Sequence, residues 1–219
     1  MSVAEPLGGE PDDGLPPYPG LALADVRIVR TPQDAARALE ALSQADVIGF
    51  DTESKPTFMK GEVSTGPHLV QLATDKHAYL FQIGAKAGIA TEAPHLLDVL
   101  KPVLESDAIL KVGFGLGDDL KRLRAKLGIE TRNVLDLATA LRRRGERNTL
   151  GAKTAVARFF GQHLQKSRRI TTTNWALPQL SEKQLLYAAD DAHVALRLYR
   201  HWLANPPADD SKPPARRAS

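Results

Sequence analysis

The 219-residue chain has no cysteine. That excludes a disulfide framework and any thiolate metal site, so a bound metal must be held by oxygen or imidazole. No apolar run approaches the roughly 20 residues that cross a bilayer. The N-terminus lacks the basic residues that begin a secretory signal. A soluble, cytoplasmic protein with no membrane partner is the expectation. The six histidines form no HxxxH or HD arrangement, which argues against a histidine-built phosphohydrolase acting on free nucleotides. No internal repeat is present.

What remains is 42% hydrophobic, enough for one sizeable core. The formal charge of +3 is unevenly spread, because residues 1–25 carry acids and no Lys or Arg. The basic excess of the following segment suits either a polyanionic partner or a plain solvated surface. Residues 1–25 and 204–219 are rich in Pro, Gly and Asp and lack hydrophobic periodicity, so both are expected to be flexible tails around a domain at 26–203.

Within that domain strand and helix signals alternate. Strands are predicted at 26–29, 47–53, 68–74, 77–81 and 109–114, with a hairpin at Asp75 and Lys76. Thr31 and Pro32 supply an N-cap and first-turn proline for a helix to about residue 43. Further helices are predicted near 94–105, from about 117, and from Ser181, where Ser181 and Gln184 have capping-box spacing. The pattern is an α/β domain with helices around a central sheet.

Four acids stand in unusual places. Asp51 and Glu53 lie two apart at a strand end, so both side chains point to one face. Such a pair either holds a divalent cation or runs out into solvent. In the helix after Phe114, the stripe Leu116, Leu120, Leu123, Leu127 puts Asp119 at its border and Asp118 in solvent. Both also suit a helix N-terminus without any site. In the last helix Asp190 falls on a polar arc with His193 and Arg197, whereas Asp191 falls among apolar residues, with Tyr187 one turn before it. A buried Asp191 needs a partner, either a metal or a Lys or Arg.

These segments together resemble the DEDDy exonuclease superfamily, which contains ribonuclease D and the exonuclease domain of the Werner syndrome helicase. The motifs are Asp51-Thr52-Glu53 followed by Val70-Gln71-Leu72, the glycine turn from Gly113 to Asp119, and Tyr187-x-x-x-Asp191 preceded by Asn174-Trp175. They span nearly all of 26–203. One departure is Ser54-Lys55-Pro56, where many relatives carry a large apolar residue after the Glu.

The resemblance implies a ribonuclease H-like central mixed sheet flanked by helices, and a stand-alone, bacterial-like 3′-5′ exonuclease. Its metal ligands would be Asp51, Glu53, Asp119 and Asp191, binding two Mg2+ or Mn2+ ions, with Tyr187 orienting the attacking water. The partner would be a DNA or RNA 3′ end and the product a nucleoside 5′-monophosphate; the alternative is an inactive nucleic-acid-binding module on the same fold. By family analogy Thr52 would touch the terminal nucleotide. Arg142, Arg143, Arg144, Arg147, Lys166, Arg168 and Arg169 are candidates to steer the phosphate backbone. Trp175 and Phe58 are candidates for base stacking, although Trp175 also suits a core.

Overall fold

Gly49 and Gly113 sit where the backbones of this domain meet most tightly, and the computed structural model shows why no larger residue fits at either place. The structure describes residues 14–57, 61–62, 64–84, 93–143 and 145–206. Phe58, Arg144 and the expected tail segments 1–13 and 207–219 lie outside the described residues.

Six strands form one mixed sheet: β1 (Val26–Ile28), β2 (Val47–Glu53), β3 (Leu69–Ala73), β4 (Ala78–Gln82), β5 (Leu110–Gly113) and β6 (Val134–Asp136), in the order β1-β4-β3-β2-β5-β6. β3 runs antiparallel to β2 and β4, while the other pairs are parallel. The helices are α1 (Pro32–Ser43), α2 (Pro94–Leu104), α3 (Gly117–Leu127), α4 (Leu137–Ala140), α5 (Ala152–Phe160), α6 (Arg168–Thr171) and α7 (Glu182–Ala204). Thr31 and Ser181 close the capping boxes of α1 and α7. None of the described helices is long and apolar enough to cross a membrane.

Alternation along the strands divides the core. Phe50, Val70, Leu72 and Phe81 pack under α1, α2 and α3 through Leu42, Leu100, Leu104 and Leu123. On the other face Leu69 and Leu80 meet Tyr187 and Ala188 of α7, and Ala73 and Ala78 meet Ala189 and Ala192. Small residues let α7 lie almost on the sheet. A methyl group at Gly49 would overlap the Ala192 carbonyl, and one at Gly113 would overlap the Phe50 carbonyl. Strand β6 was not anticipated from sequence, since three residues show no alternation to read. It extends the sheet by pairing with β5.

The expectation of a tail through residue 25 is corrected by the segment from Gly14 onward, which forms a strap. Tyr18 stacks on Phe160 with ring centroids 5.9 Å apart. The Tyr18 N–H donates to the His163 carbonyl and the His163 N–H to that of Pro16. The Leu21 N–H donates to Asp190 Oδ1 at 2.7 Å. Asp190 is therefore not the solvated acid that helical geometry suggested, and burial, partly offset by that bond, raises its pKa to about 6. His193, expected on the same polar arc, is 3% exposed.

Across the sheet, the Lys126 ammonium at the end of α3 donates to three backbone carbonyls, those of Thr65, Pro67 and Gly84, at 2.8 to 2.9 Å. Burial lowers its pKa.

Asp190→Ala removes the acceptor of the Leu21 N–H and should cost about 1.5–3 kcal/mol, the range for a hydrogen bond to a charged group. Thermal unfolding should show a lowered Tm, and limited proteolysis should cut faster between residues 14 and 25. Unchanged proteolysis would release the strap from Asp190. Gly49→Ala should cost about 3 kcal/mol or more, because backbone rather than a pliable side chain stands in the way.

Candidate metal centre

The crossing of β2 and α7 over Gly49 determines what faces what. Asp51 and Glu53 leave β2 on the α7 side, with fully buried Gln71 directly across from Asp51 on β3. Asp191 precedes Ala192, the residue seated on Gly49. One carboxylate oxygen from each of Asp51, Glu53 and Asp191 lies within 4.8 Å of the others. Three carboxylates this close repel unless a proton or cation intervenes.

The electrostatics follow from that crowding. Burial, then the charges of Asp191 and Asp119, pushes the Asp51 carboxyl well up. Burial, then Asp51 and Asp191, pushes Glu53 up to about 9. Asp191 is also raised by burial, against the opposing pull of Lys166 and of a hydrogen bond from Tyr187. The partner that Asp191 needs is supplied by Lys166, whose Nζ lies 2.8 Å from Asp191 Oδ1 and 5.7 Å from the Tyr187 ring centroid. Burial depresses that ammonium, but attraction to Asp191, Tyr187 and Asp51 outweighs it and leaves its pKa raised.

Asp119 reaches the centre from α3. The turn that launches α3 needs Gly115, at φ +69°, and Asp136 of β6 holds it by accepting from the N–H groups of Gly115 and Leu116 at 2.9 and 3.2 Å. Asp119 accepts a short hydrogen bond from the Thr52 hydroxyl, and burial raises its pKa. Its neighbour Asp118 is exposed and pairs with Lys121. The structure thus brings Asp51, Glu53 and Asp191 into one oxygen cluster, with Asp119 acting on Asp51 from its flank. Thr52, expected at the substrate, is buried with its hydroxyl on Asp119.

Tyr187 is 9% exposed. Its hydroxyl lies 2.8 Å from that of Thr171, and burial, then Asp191, raises its pKa. Trp175 is 1% exposed and packs at 6.0 Å from the Tyr187 ring, which makes it a core residue rather than a stacking platform. Of the expected basic residues, Lys166 is in the cluster, Arg169 is exposed on α6, and the Arg168 side chain lies outside the described ones. Arg142 is turned into its own loop, donating to the carbonyls of Thr139 and Arg147, so it does not join the centre. Lys166 was expected on the phosphate backbone and instead pairs with Asp191; Thr171 and Asp136 were not singled out from sequence, because each lies in a different segment from the group it serves.

An all-oxygen cluster of this size fits a hard divalent cation such as Mg2+ or Mn2+. The fit rests on three carboxylates converging from two elements, two of them held above the usual carboxylate range by burial and mutual repulsion.

Residues 26–204 match the family model described as 3′-5′ exonuclease. Among curated relatives, the chain is 28% identical over 160 residues to the mouse bifunctional 3′-5′ exonuclease/ATP-dependent helicase WRN, covering 73% of this chain and 11% of that protein. It is 29% identical over 154 residues to an Arabidopsis thaliana 3′-5′ exonuclease, covering 70% of this chain and 51% of that one. The chain thus spans at most about half the length of these two relatives. Among solved structures, Trypanosoma brucei RNase D in complex with RNA U12 superposes with a TM-score of 0.71 at 22% identity, covering 84% of this chain and 64% of that one. The fold is ribonuclease H-like, with a mixed sheet flanked by helices.

Glu53 binds its proton more tightly in the folded chain, at about 9, than at the ordinary value of 4.5. Its contribution to stability is complete below the lower value and is lost as pH rises through the upper one. In EDTA, Tm should therefore fall between pH 6.5 and 9, a window above the depressed range of His68, held at about 4. Glu53→Gln should flatten the slope, and Mn2+ should suppress it by binding the ionised form. Lys166→Met should lower Tm in EDTA and enlarge the rise on adding Mn2+. A slope in Glu53→Gln equal to that of wild type would remove Glu53 as its source.

Proposed function

Because the chain belongs to the 3′-5′ exonuclease family, we propose that it hydrolyses the terminal 3′ phosphodiester of DNA or RNA by a two-metal mechanism, releasing nucleoside 5′-monophosphates one at a time. The observation that carries this reading is the convergence of Asp51, Glu53 and Asp191 within 4.8 Å, with Asp119 and Tyr187 beside them.

Divalent ions held here would supply Lewis acidity, lowering the pKa of water and offsetting charge on the attacking and leaving oxygens. The residues hold and orient. Asp51, which faces Asp191 and Asp119, would help to hold both ions. Glu53 and Asp191 would hold the ion that serves the attacking water, and Asp119, oriented by Thr52, would help to hold the one that serves the leaving oxygen. Carboxylates carried on a strand and a long helix, Asp191 buried and Asp51 and Glu53 half-buried, are positioned in advance, as in-line attack needs.

Tyr187 places its hydroxyl beside Asp191, where it orients the attacking water. Its raised pKa keeps it protonated at neutral pH, so it directs the water through hydrogen bonds. Lys166 supplies positive charge next to Asp191 and Tyr187. Arg168 and Arg169 begin the path along which the phosphate backbone is steered.

The test is a cleavage ladder on 5′-labelled single-stranded DNA and RNA of matched sequence with Mg2+, Mn2+ or EDTA. Both sugars are included because the Trypanosoma brucei RNase D was solved with RNA, whereas the mouse relative is named for exonuclease and helicase functions. The expected result is a cation-dependent ladder shortening from the 3′ end. Asp51→Ala should reduce it by at least about a hundredfold, beyond the loss from disturbing an outer-sphere partner. Tyr187→Phe should lower kcat by about a hundredfold, in the range of a positioned acid–base group, with little change in KM. Absence of cleavage on both substrates, with oligonucleotide binding retained, would replace the enzyme by a binding module.

A further inference from the structure

The hydroxyl of Thr171 lies 2.8 Å from that of Tyr187 and 3.3 Å from the Ser167 carbonyl. Each hydroxyl has one proton to give and two lone pairs. Two neighbours of this pair serve as acceptors: the Ser167 carbonyl on the Thr171 side and, on the Tyr187 side, the Asp191 carboxylate that pairs with the Lys166 ammonium. The two protons therefore have two consistent arrangements. In one, Tyr187 donates to Asp191 and Thr171 donates to Tyr187. In the other, Tyr187 donates to Thr171, and Thr171 donates to the Ser167 carbonyl.

The first leaves one electron pair of the Tyr187 oxygen free, whereas the second leaves both, so that it can accept from a water without competition from the Thr171 hydroxyl. That arrangement is favoured once the Asp191 oxygens are engaged elsewhere, and Lys166 Nζ already holds one of them at 2.8 Å. Thr171 itself is firmly placed. Its N–H donates to the Ser167 carbonyl at 3.1 Å, and the indole of buried Trp175 donates to its own carbonyl at 3.3 Å.

We propose that Thr171 is a positioning residue for hydrolysis: it accepts a hydrogen bond from the Tyr187 hydroxyl and so leaves the lone pairs of the Tyr187 oxygen to the attacking water. The inference rests on the exonuclease reading given above. It assigns a role to a residue outside the acidic motifs and outside the Tyr187 to Asp191 helix turn.

The test compares Thr171→Val, which keeps the shape and loses the hydroxyl, with Thr171→Ser, which keeps the hydroxyl, each alone and combined with Tyr187→Phe. Cleavage of a 5′-labelled oligonucleotide with Mg2+ is measured as kcat and KM. Thr171→Val should lower kcat by about tenfold, the equivalent of one hydrogen bond, with KM within about twofold. Thr171→Ser should restore the rate, and Thr171→Val should have no further effect in the Tyr187→Phe background.

A second readout needs no turnover. The chain has four tyrosines, so with 13C at the phenolic carbon the Tyr187 signal is identified by its loss in Tyr187→Phe. In EDTA it should shift in Thr171→Val and return in Thr171→Ser. If wild type cleaves and Thr171→Val matches it, or if the Thr171→Val effect persists undiminished without the Tyr187 hydroxyl, the positioning role is overturned and the exonuclease reading stands. If wild type cleaves neither DNA nor RNA, the exonuclease reading fails and the role fails with it.

Discussion

The close seating of α7 on β2 is the constraint on which the rest depends. Gly49 has no side chain, and the Ala192 carbonyl occupies the place one would take. At ordinary helix-on-sheet spacing, Asp191 would stand too far from Asp51 and Glu53 to share a ligand with them. The small residues Ala188, Ala189 and Ala192 facing the sheet serve the same end. The fold spends its tightest packing on bringing like charges together, a use of core complementarity that stability alone would not favour.

That arrangement is tolerable only with compensation. Lys166 balances Asp191, the Thr52 hydroxyl stabilises Asp119, and Glu53 is held as an acid up to about 9. Each device is local and modest. A cation bound in place of the proton on Glu53 would exchange one compensation for another and tie the stability of the domain to its ligation state. Cavity shape alone would not reveal this centre. Its signature is the disagreement between where the acids are and where acids are comfortable.

The sequence made much of this legible, and the failures have a common cause. Asp51 with Glu53, and Asp191 with Tyr187, are encoded by strand and helix periodicity over a few residues, so faces could be assigned from one chain. The choice of Asp119 over Asp118 follows from a leucine stripe that does pack into the core. Asp190 was misjudged because periodicity says which arc of a helix is polar, not what covers it. The covering strap arrives from 169 residues earlier. Lys166 and Thr171 lie in a short segment without periodicity, and their roles arise from where that segment lands. Strand β6 was hidden for the same reason, yet its Asp136 holds the turn before α3.

The three carbonyls gathered by Lys126 have a mechanical consequence. Helix α3 is fastened near one end by the Asp119 to Thr52 bond and at the other by this ammonium, like a beam on two supports. A beam held that way can roll a little about its axis but cannot swing. Both anchors oppose a widening between Asp119 and Asp51, so rotation about side-chain bonds is the easier adjustment. The spacing that a bound cation would find is therefore set by strand and helix together.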